Sequence, residues 1–208
     1  MAQIIDKSTW PRREVFDFFA PMDWPFYSLT FPVDVTALRR YTHERGLSFY
    51  LAMVYAVTKS MEAVSAFRYK CRGDEIVLHD TLVPSFTDLK PGSETFHITT
   101  LEAGDDLADF CLRGKEASDT QTSFITAGPW DADQLIYFSC VPWFPITALA
   151  NERHPDPSDS VPRVTWGKYE EKDGRTSLSL SLELNHRLLD GFHTGQLYQA
   201  LNSFLGAL

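Results

Sequence analysis

The sequence predicts one α/β (α+β) domain over residues 1–208, with a mostly antiparallel or mixed sheet flanked by helices. Three observations predict it. The segment Thr176–Asn185 alternates strictly as Ser177, Leu178, Ser179, Leu180, Ser181, Leu182, Glu183, Leu184, which is a strand with one apolar face. The segment Phe49–Val64 is rich in Ala, Met, Tyr and Val on most faces, so it is a helix that must be buried. The chain has 208 residues, 44% apolar and 23% charged, an ordinary globular composition long enough for a sizeable core.

Residues 1–30 read as extended or irregular, apart from a short helix at Pro11–Phe18, where Pro11 suits a first turn. A helix follows over Thr36–Arg45, and Gly46 is its left-handed stop. Ser48 caps the apolar helix Phe49–Val64. Arg68–Arg72 and Glu75–His79 are strands around a Gly73-Asp74 turn. Pro84–Asp88 and Thr95–Thr100 are further strands, and Asp105–Ala117 is a polar-faced helix. Leu135–Cys140 is an apolar strand, and the Pro-rich, Asp-rich stretch Ala150–Pro162 is a loop. Pro162–Glu170 and Thr176–Asn185 are joined by the hairpin signal Lys172-Asp173-Gly174, and Gly191–Leu205 is a terminal helix.

Nineteen basic against 28 acidic residues leave a net charge of −9, which excludes a nucleic-acid binder and disfavours an anionic membrane surface. One phosphorylated small molecule in a local basic pocket stays compatible with that charge. Three cysteines, Cys71, Cys111 and Cys140, form no CxxC, so a disulfide framework is not expected. The N-terminus lacks a signal-peptide pattern and no run has transmembrane length, which reads as a cytoplasmic protein. Aromatic residues reach 13%, enough to line both a core and a pocket for a flat ligand.

The chemistry-bearing cluster is Asn185-His186-Arg187-Leu188-Leu189-Asp190-Gly191-Phe192-His193, between the alternating strand and the last helix. A histidine there can project from a rigid strand into a cleft, and histidine as a residue type has an unperturbed pKa of ~6.5, suited to taking a proton from a hydroxyl at neutral pH. On spacing alone, His186 reads more often as a structural histidine, and Asp190 as a plain cap for the helix at Gly191. His193 reads as packing or solvent rather than a metal ligand. The spacing of the two histidines does not suit zinc on one helix face, so no metal is expected.

His186-x-x-x-Asp190-Gly191 resembles the signature of the coenzyme-A-dependent acyltransferases related to chloramphenicol acetyltransferase. The likeness extends, in order, through Trp10-Pro11-Arg12-Arg13-Glu14-Val15-Phe16, Phe138-Ser139-Cys140-Val141-Pro142-Trp143, Pro162-Arg163-Val164-Thr165-Trp166-Gly167-Lys168-Tyr169 and Asp190-Gly191-Phe192-His193. The resemblance implies an acetyl-CoA-dependent O-acetyltransferase in which His186 is the general base, its ring oriented largely by its own carbonyl. It implies that Ser139 donates to the oxyanion and that Thr165 holds a water beside it. It implies a structural Arg12–Asp190 pair, a coenzyme A site lined by Lys168 and Tyr169, and a homotrimer with active sites between subunits.

Read without the resemblance, Ser139 is a strand-end hydroxyl, Thr165 a β-branched strand residue and Lys168 a solvated lysine. Departures from the family fall in the acceptor pocket, whose candidate walls are Phe19, Phe26, Tyr27, Phe96 and Tyr137. Phe19 stands where the family has a tyrosine, Tyr137 where it has asparagine, and Ser48 where it has a lysine that serves the coenzyme. Asn185 stands where the family often has histidine. Such changes alter acceptor preference more readily than reaction type. Two alternatives follow: an acyltransferase for another small alcohol, amine or thiol, or a ligand-binding relative that no longer catalyses. A dihydrolipoyl acyltransferase core shares the signature, but normally carries further domains.

Overall fold

The computed structural model describes residues 2–208. In chain order it contains β1 (Ala2–Ile5), α1 (Arg13–Phe19), β2 (Phe26–Asp34), α2 (Thr36–Arg45), α3 (Phe49–Glu62), β3 (Tyr69–Arg72), β4 (Glu75–His79), β5 (Val83–Leu89) and β6 (Phe96–Thr100). It continues with α4 (Leu107–Thr120), β7 (Leu135–Val141), β8 (Arg163–Gly167), β9 (Glu170–Lys172), β10 (Arg175–Asn185) and α5 (Gly191–Gly206). The main sheet has seven strands in the order β2-β10-β8-β7-β5-β6, with β9 also on β10. It is mixed: β7 runs parallel to β5 and β8, and the other pairs are antiparallel. A second sheet, β1-β4-β3, was not separated from the first by sequence reading.

Local chemistry explains most boundaries. Gly46 takes φ 64 and returns its N–H to the last carbonyls of α2, the left-handed stop that glycine reaches without strain. Ser48 Oγ accepts from Leu51 N at 3.3 Å and caps α3. The hairpin turn places Asp173 at φ 50 and Gly174 at φ 76, the twist that suits a two-residue loop. Helix α3 is buried on nearly every side, among α2, α4, α5 and the sheet, as its all-round apolar sequence requires.

Several boundaries differ from the sequence reading. The N-terminal stretch contains two strands, and β2 pairs with β10 over nine register positions, from Phe26 to Asp34. Its burial is uneven and Pro32 interrupts the strand pattern, which hid it. Pro11 precedes α1 rather than opening it, because the helix starts at Arg13. Asp106 caps α4, so that helix begins at Leu107 and extends to Thr120.

The segment Pro162–Glu170 is not one strand. Three residues, Gly167, Lys168 and Tyr169, stand opposite two, Leu178 and Ser179, so the ladder carries a bulge. The bulge reverses which side chains face the helices, and Tyr169 packs on the core while Lys168 is exposed. Gly167 is required there because a Cβ would stand 2.7 Å from the Ile146 backbone nitrogen and 3.0 Å from the Phe144 carbonyl oxygen. Gly167→Ala is expected to destabilise the fold by about 1–3 kcal/mol, read as a lowered urea midpoint at unchanged slope.

The Leu178–Leu184 series packs on the helices, as the alternation predicts. The opposite face of β10 is also covered. The segment after β7 crosses it and buries Ser181 and Glu183.

Candidate active site

His186 follows the last residue of β10 in a tight turn. Leu188 N and Leu189 N both donate to Asn185 O, and Asn185 Oδ1 accepts from Arg187 N. Asn185 is buried and its Nδ2 donates to the carbonyls of Pro157 and Asp159. This side chain therefore anchors the turn, a role its position in the motif did not reveal. The Arg12 guanidinium locks the same turn from the other side. It donates to Arg187 O at 3.0 Å, to His186 O at 3.1 Å and to Asp190 Oδ2 at 2.7 Å.

The imidazole is held by aromatic rings. Phe19 stacks on it at 4.2 Å with a 17° interplanar angle, and Tyr27 lies tilted at 4.6 Å. Nδ1 is buried and has no hydrogen-bond partner, while Nε2 is the nitrogen left open. Aromatic packing thus holds the ring, and the His186 carbonyl accepts from Arg12. Phe19 and Tyr27 meet the imidazole directly.

Asp190 caps α5 through Phe192 N, and His193 Nδ1 accepts from Asp190 N to complete a capping box. His193 therefore has a definite structural role, and burial lowers its pKa. Burial opposes the Asp190 charge, but the Arg12 hydrogen bond and the nearby cations outweigh it and hold the carboxyl below its usual range. The pair is only partly buried, with 13% and 31% of the two side chains exposed.

Asp190→Asn keeps a capping side chain but strands Arg12. It is expected to lower activity by loosening the turn, and to lower stability by about 1–2 kcal/mol after allowance for solvent screening. A depressed carboxyl stabilises above the ordinary value of 3.8 and loses that contribution as pH falls through its folded value. The stability gap between the two proteins should therefore close only in acid, as acid-unfolding curves would report.

The second group lies on the sheet. Ser139 pairs in register with Thr165, Thr165 with Ser181, and Ser181 with Thr30, which makes a row of hydroxyls across β7, β8, β10 and β2. Thr165 is buried and donates to Asn151 Oδ1 at 3.2 Å. Thr30 donates to Ser181, and Ser181 donates to Leu149 O. Ser139 is half-buried, and among the described residues its hydroxyl has no partner, so it is the member free to donate to a ligand. Tyr137 is on the same face, with the Arg163 guanidinium 5.5 Å from its ring centroid. Phe96 shares this face at the sheet edge and packs on Phe124 at 5.4 Å.

The covering segment is tied down by charges that sequence reading missed. Arg153 donates to Glu183 Oε1 at 2.7 Å and pairs with Asp159 at 2.9 Å, with its own side chain fully buried. Arg163 pairs with the same Asp159, and Asn151 N donates to Glu183 Oε2. Arg153 also lies 4.0 Å over the Phe26 ring, so Phe26 is engaged by the network. The available signal was Glu183 itself, a lone carboxylate in a series of serines.

These two groups do not meet within one chain. His186 stands five residues past Ser181, and Ser139 is level with Ser181 two strands away. At about 3.3 Å per residue and about 4.8 Å per strand, the separation is on the order of 15–20 Å. Lys168 and Tyr169 form a third location at the bulge. Tyr169 packs edge-on to Phe49 at 5.6 Å, and Lys168 has no ion pair among the described residues. An exposed lysine beside an aromatic ring suits a phosphorylated, ring-bearing ligand.

Two further clusters bear on chemistry. His79, Asp131 and Asp133 bring ligand atoms together, but the Arg72 guanidinium already bridges both carboxylates at 2.7 Å. All three cysteines are free thiols, and burial pushes Cys140, next to Ser139, up to about 12. That thiol stays protonated at neutral pH and supplies no nucleophile. No helix among the described residues is long and apolar enough to cross a membrane.

The chloramphenicol acetyltransferase family model matches residues 2–202. A chloramphenicol acetyltransferase of Clostridium perfringens is 29% identical, covering 96% of this chain and 98% of its own. One from Clostridioides difficile is 30% identical over 91% of this chain and 89% of its own. A solved chloramphenicol acetyltransferase superposes with TM-score 0.88 at 25% identity, covering 99% of this chain and all of the other. A probable dihydrolipoamide acetyltransferase of Listeria monocytogenes shares the fold, with TM-score 0.67 at 16% identity. With the family model spanning residues 2–202 and relatives matched over nearly their whole length, the chain belongs to the chloramphenicol acetyltransferase family of acyltransferases.

Proposed function

We propose that the chain transfers an acetyl group from acetyl-CoA to a hydroxyl of a small-molecule acceptor, at sites completed between copies in a homotrimer. The observation that carries the reading is the state of His186: a ring clamped by Phe19 and Tyr27, with Nδ1 buried and Nε2 open. In that orientation Nε2 takes the acceptor proton while the oxygen attacks the thioester carbonyl; collapse of the tetrahedral intermediate then breaks the C–S bond, and the imidazolium returns the proton to the departing coenzyme thiolate. Ser139 donates to the developing oxyanion, a contribution typically worth ~2.7–4 kcal/mol. Thr165, held by Asn151, borders the same point. Binding both substrates together offsets the entropic cost of the encounter, so no acyl-enzyme is required.

The distance between His186 and Ser139 supports the multi-copy arrangement. One chain holds the base and the oxyanion donor too far apart to share a reacting carbon, so His186 of one copy would face Ser139 of the next. Lys168 and Tyr169 would receive the coenzyme. The acceptor need not be chloramphenicol. Phe19 lies flat on the base without the hydroxyl that a tyrosine would present there, which favours a different small alcohol, amine or thiol.

The test mixes the protein with acetyl-CoA and a panel of acceptors that includes chloramphenicol, and follows release of free thiol. Acceptor-dependent release is expected. Coenzyme binding with no turnover on any acceptor would sink the catalytic reading, and turnover confined to other acceptors would reassign the substrate.

A further inference from the structure

We infer that Arg39, on α2, holds a phosphate group of the coenzyme, in place of the cation that this chain lacks at Ser48. The inference rests on the coenzyme A reading above and assigns a residue to it. Three observations converge at one place. The Arg39 guanidinium carbon lies 5.0 Å from the centroid of the Tyr169 ring, and that ring packs against Phe49 at the start of α3. Arg39 Nε is buried and has no hydrogen-bond partner, and among the described residues no carboxylate pairs with the guanidinium. The first turn of α3 carries no acidic residue, and the Ser48 side chain is spent on capping.

Among the described residues no hydrogen bond or ion pair engages the Arg39 guanidinium, so its terminal nitrogens are free to receive a ligand. The partner it calls for is anionic and oxygen-rich, because the guanidinium fork matches a phosphate. Tyr169 fixes the guanidinium by cation–π contact and presents an aromatic surface to the same ligand. Arg39 is half-exposed, so a phosphate can reach it from solvent.

The test measures calorimetric affinity for coenzyme A and for its 3′-dephospho form, without acceptor, in the parent protein and in Arg39→Gln and Arg39→Lys. Arg39→Gln is expected to weaken coenzyme A binding about tenfold or more, the scale of a lost charge-assisted hydrogen bond. Arg39→Lys keeps the charge and loses the fork, so a smaller loss in the same direction is expected. A loss confined to coenzyme A assigns Arg39 to the 3′-phosphate; an equal loss with both ligands assigns it to the pyrophosphate. Unchanged affinity of both variants beside a normally binding parent overturns the Arg39 assignment alone. A parent that binds neither ligand overturns the coenzyme reading and this inference with it.

Discussion

His186→Ala lowers acetyl transfer by about 10²–10⁴-fold while leaving the fold intact, the expected result of removing a general base. The fold should survive because the turn is held by its backbone, by Asn185 and by the Arg12 fork, none of which needs the imidazole. Ser139→Ala should also be strongly impaired, for loss of the oxyanion donor. The separation of the two residues makes their combination informative. In a random 1:1 mixture of His186→Ala and Ser139→Ala chains, assembled together, half the copies offer an intact base and half an intact donor. On the order of a quarter of the sites then regain both groups. Recovery of that fraction after co-refolding supports sites between copies. Mixed oligomers that stay as inactive as each variant alone would refute the arrangement.

Arg153→Ala is expected to destabilise the protein by about 3–5 kcal/mol, more than most surface substitutions could. Its side chain is fully buried, and Glu183 and Asp159 are left without their cation. Glu183→Gln should be milder, since an amide oxygen can still accept from Arg153 and the Asp159 pair persists. The covering segment sits over Thr165 and Ser181, so loosening it should also reduce turnover through Thr165. Denaturant midpoints and turnover at a temperature below unfolding separate the two effects. Equal stability of Arg153→Ala and the parent would show that the charges contribute nothing net.

Legibility of the sequence followed the range of the interactions. The β10 alternation, the Gly46 stop, the Ser48 and Asp190 caps and the Asp173-Gly174 turn all depend on a few adjacent residues. Strand β2 was illegible because its identity comes from pairing with β10, some 150 positions later in the chain. The bulge at Gly167–Tyr169 was illegible because it arises from the count of residues on two strands together.

By itself, the sequence carried the ordered motif blocks that place the chain in its family, from Trp10–Phe16 to His186-x-x-x-Asp190-Gly191, and through them the expected roles of His186, Arg12, Ser139 and Thr165. Tertiary structure alone decided how those groups are held and where they stand. It placed Phe19 and Tyr27 on the imidazole, buried Arg153 against Glu183, put Arg39 over Tyr169, and set His186 and Ser139 far apart in one chain. The physical reason is that a motif records residue types along the backbone. Packing, desolvation and strand register depend on residues brought together from distant positions, and no local pattern encodes those distances.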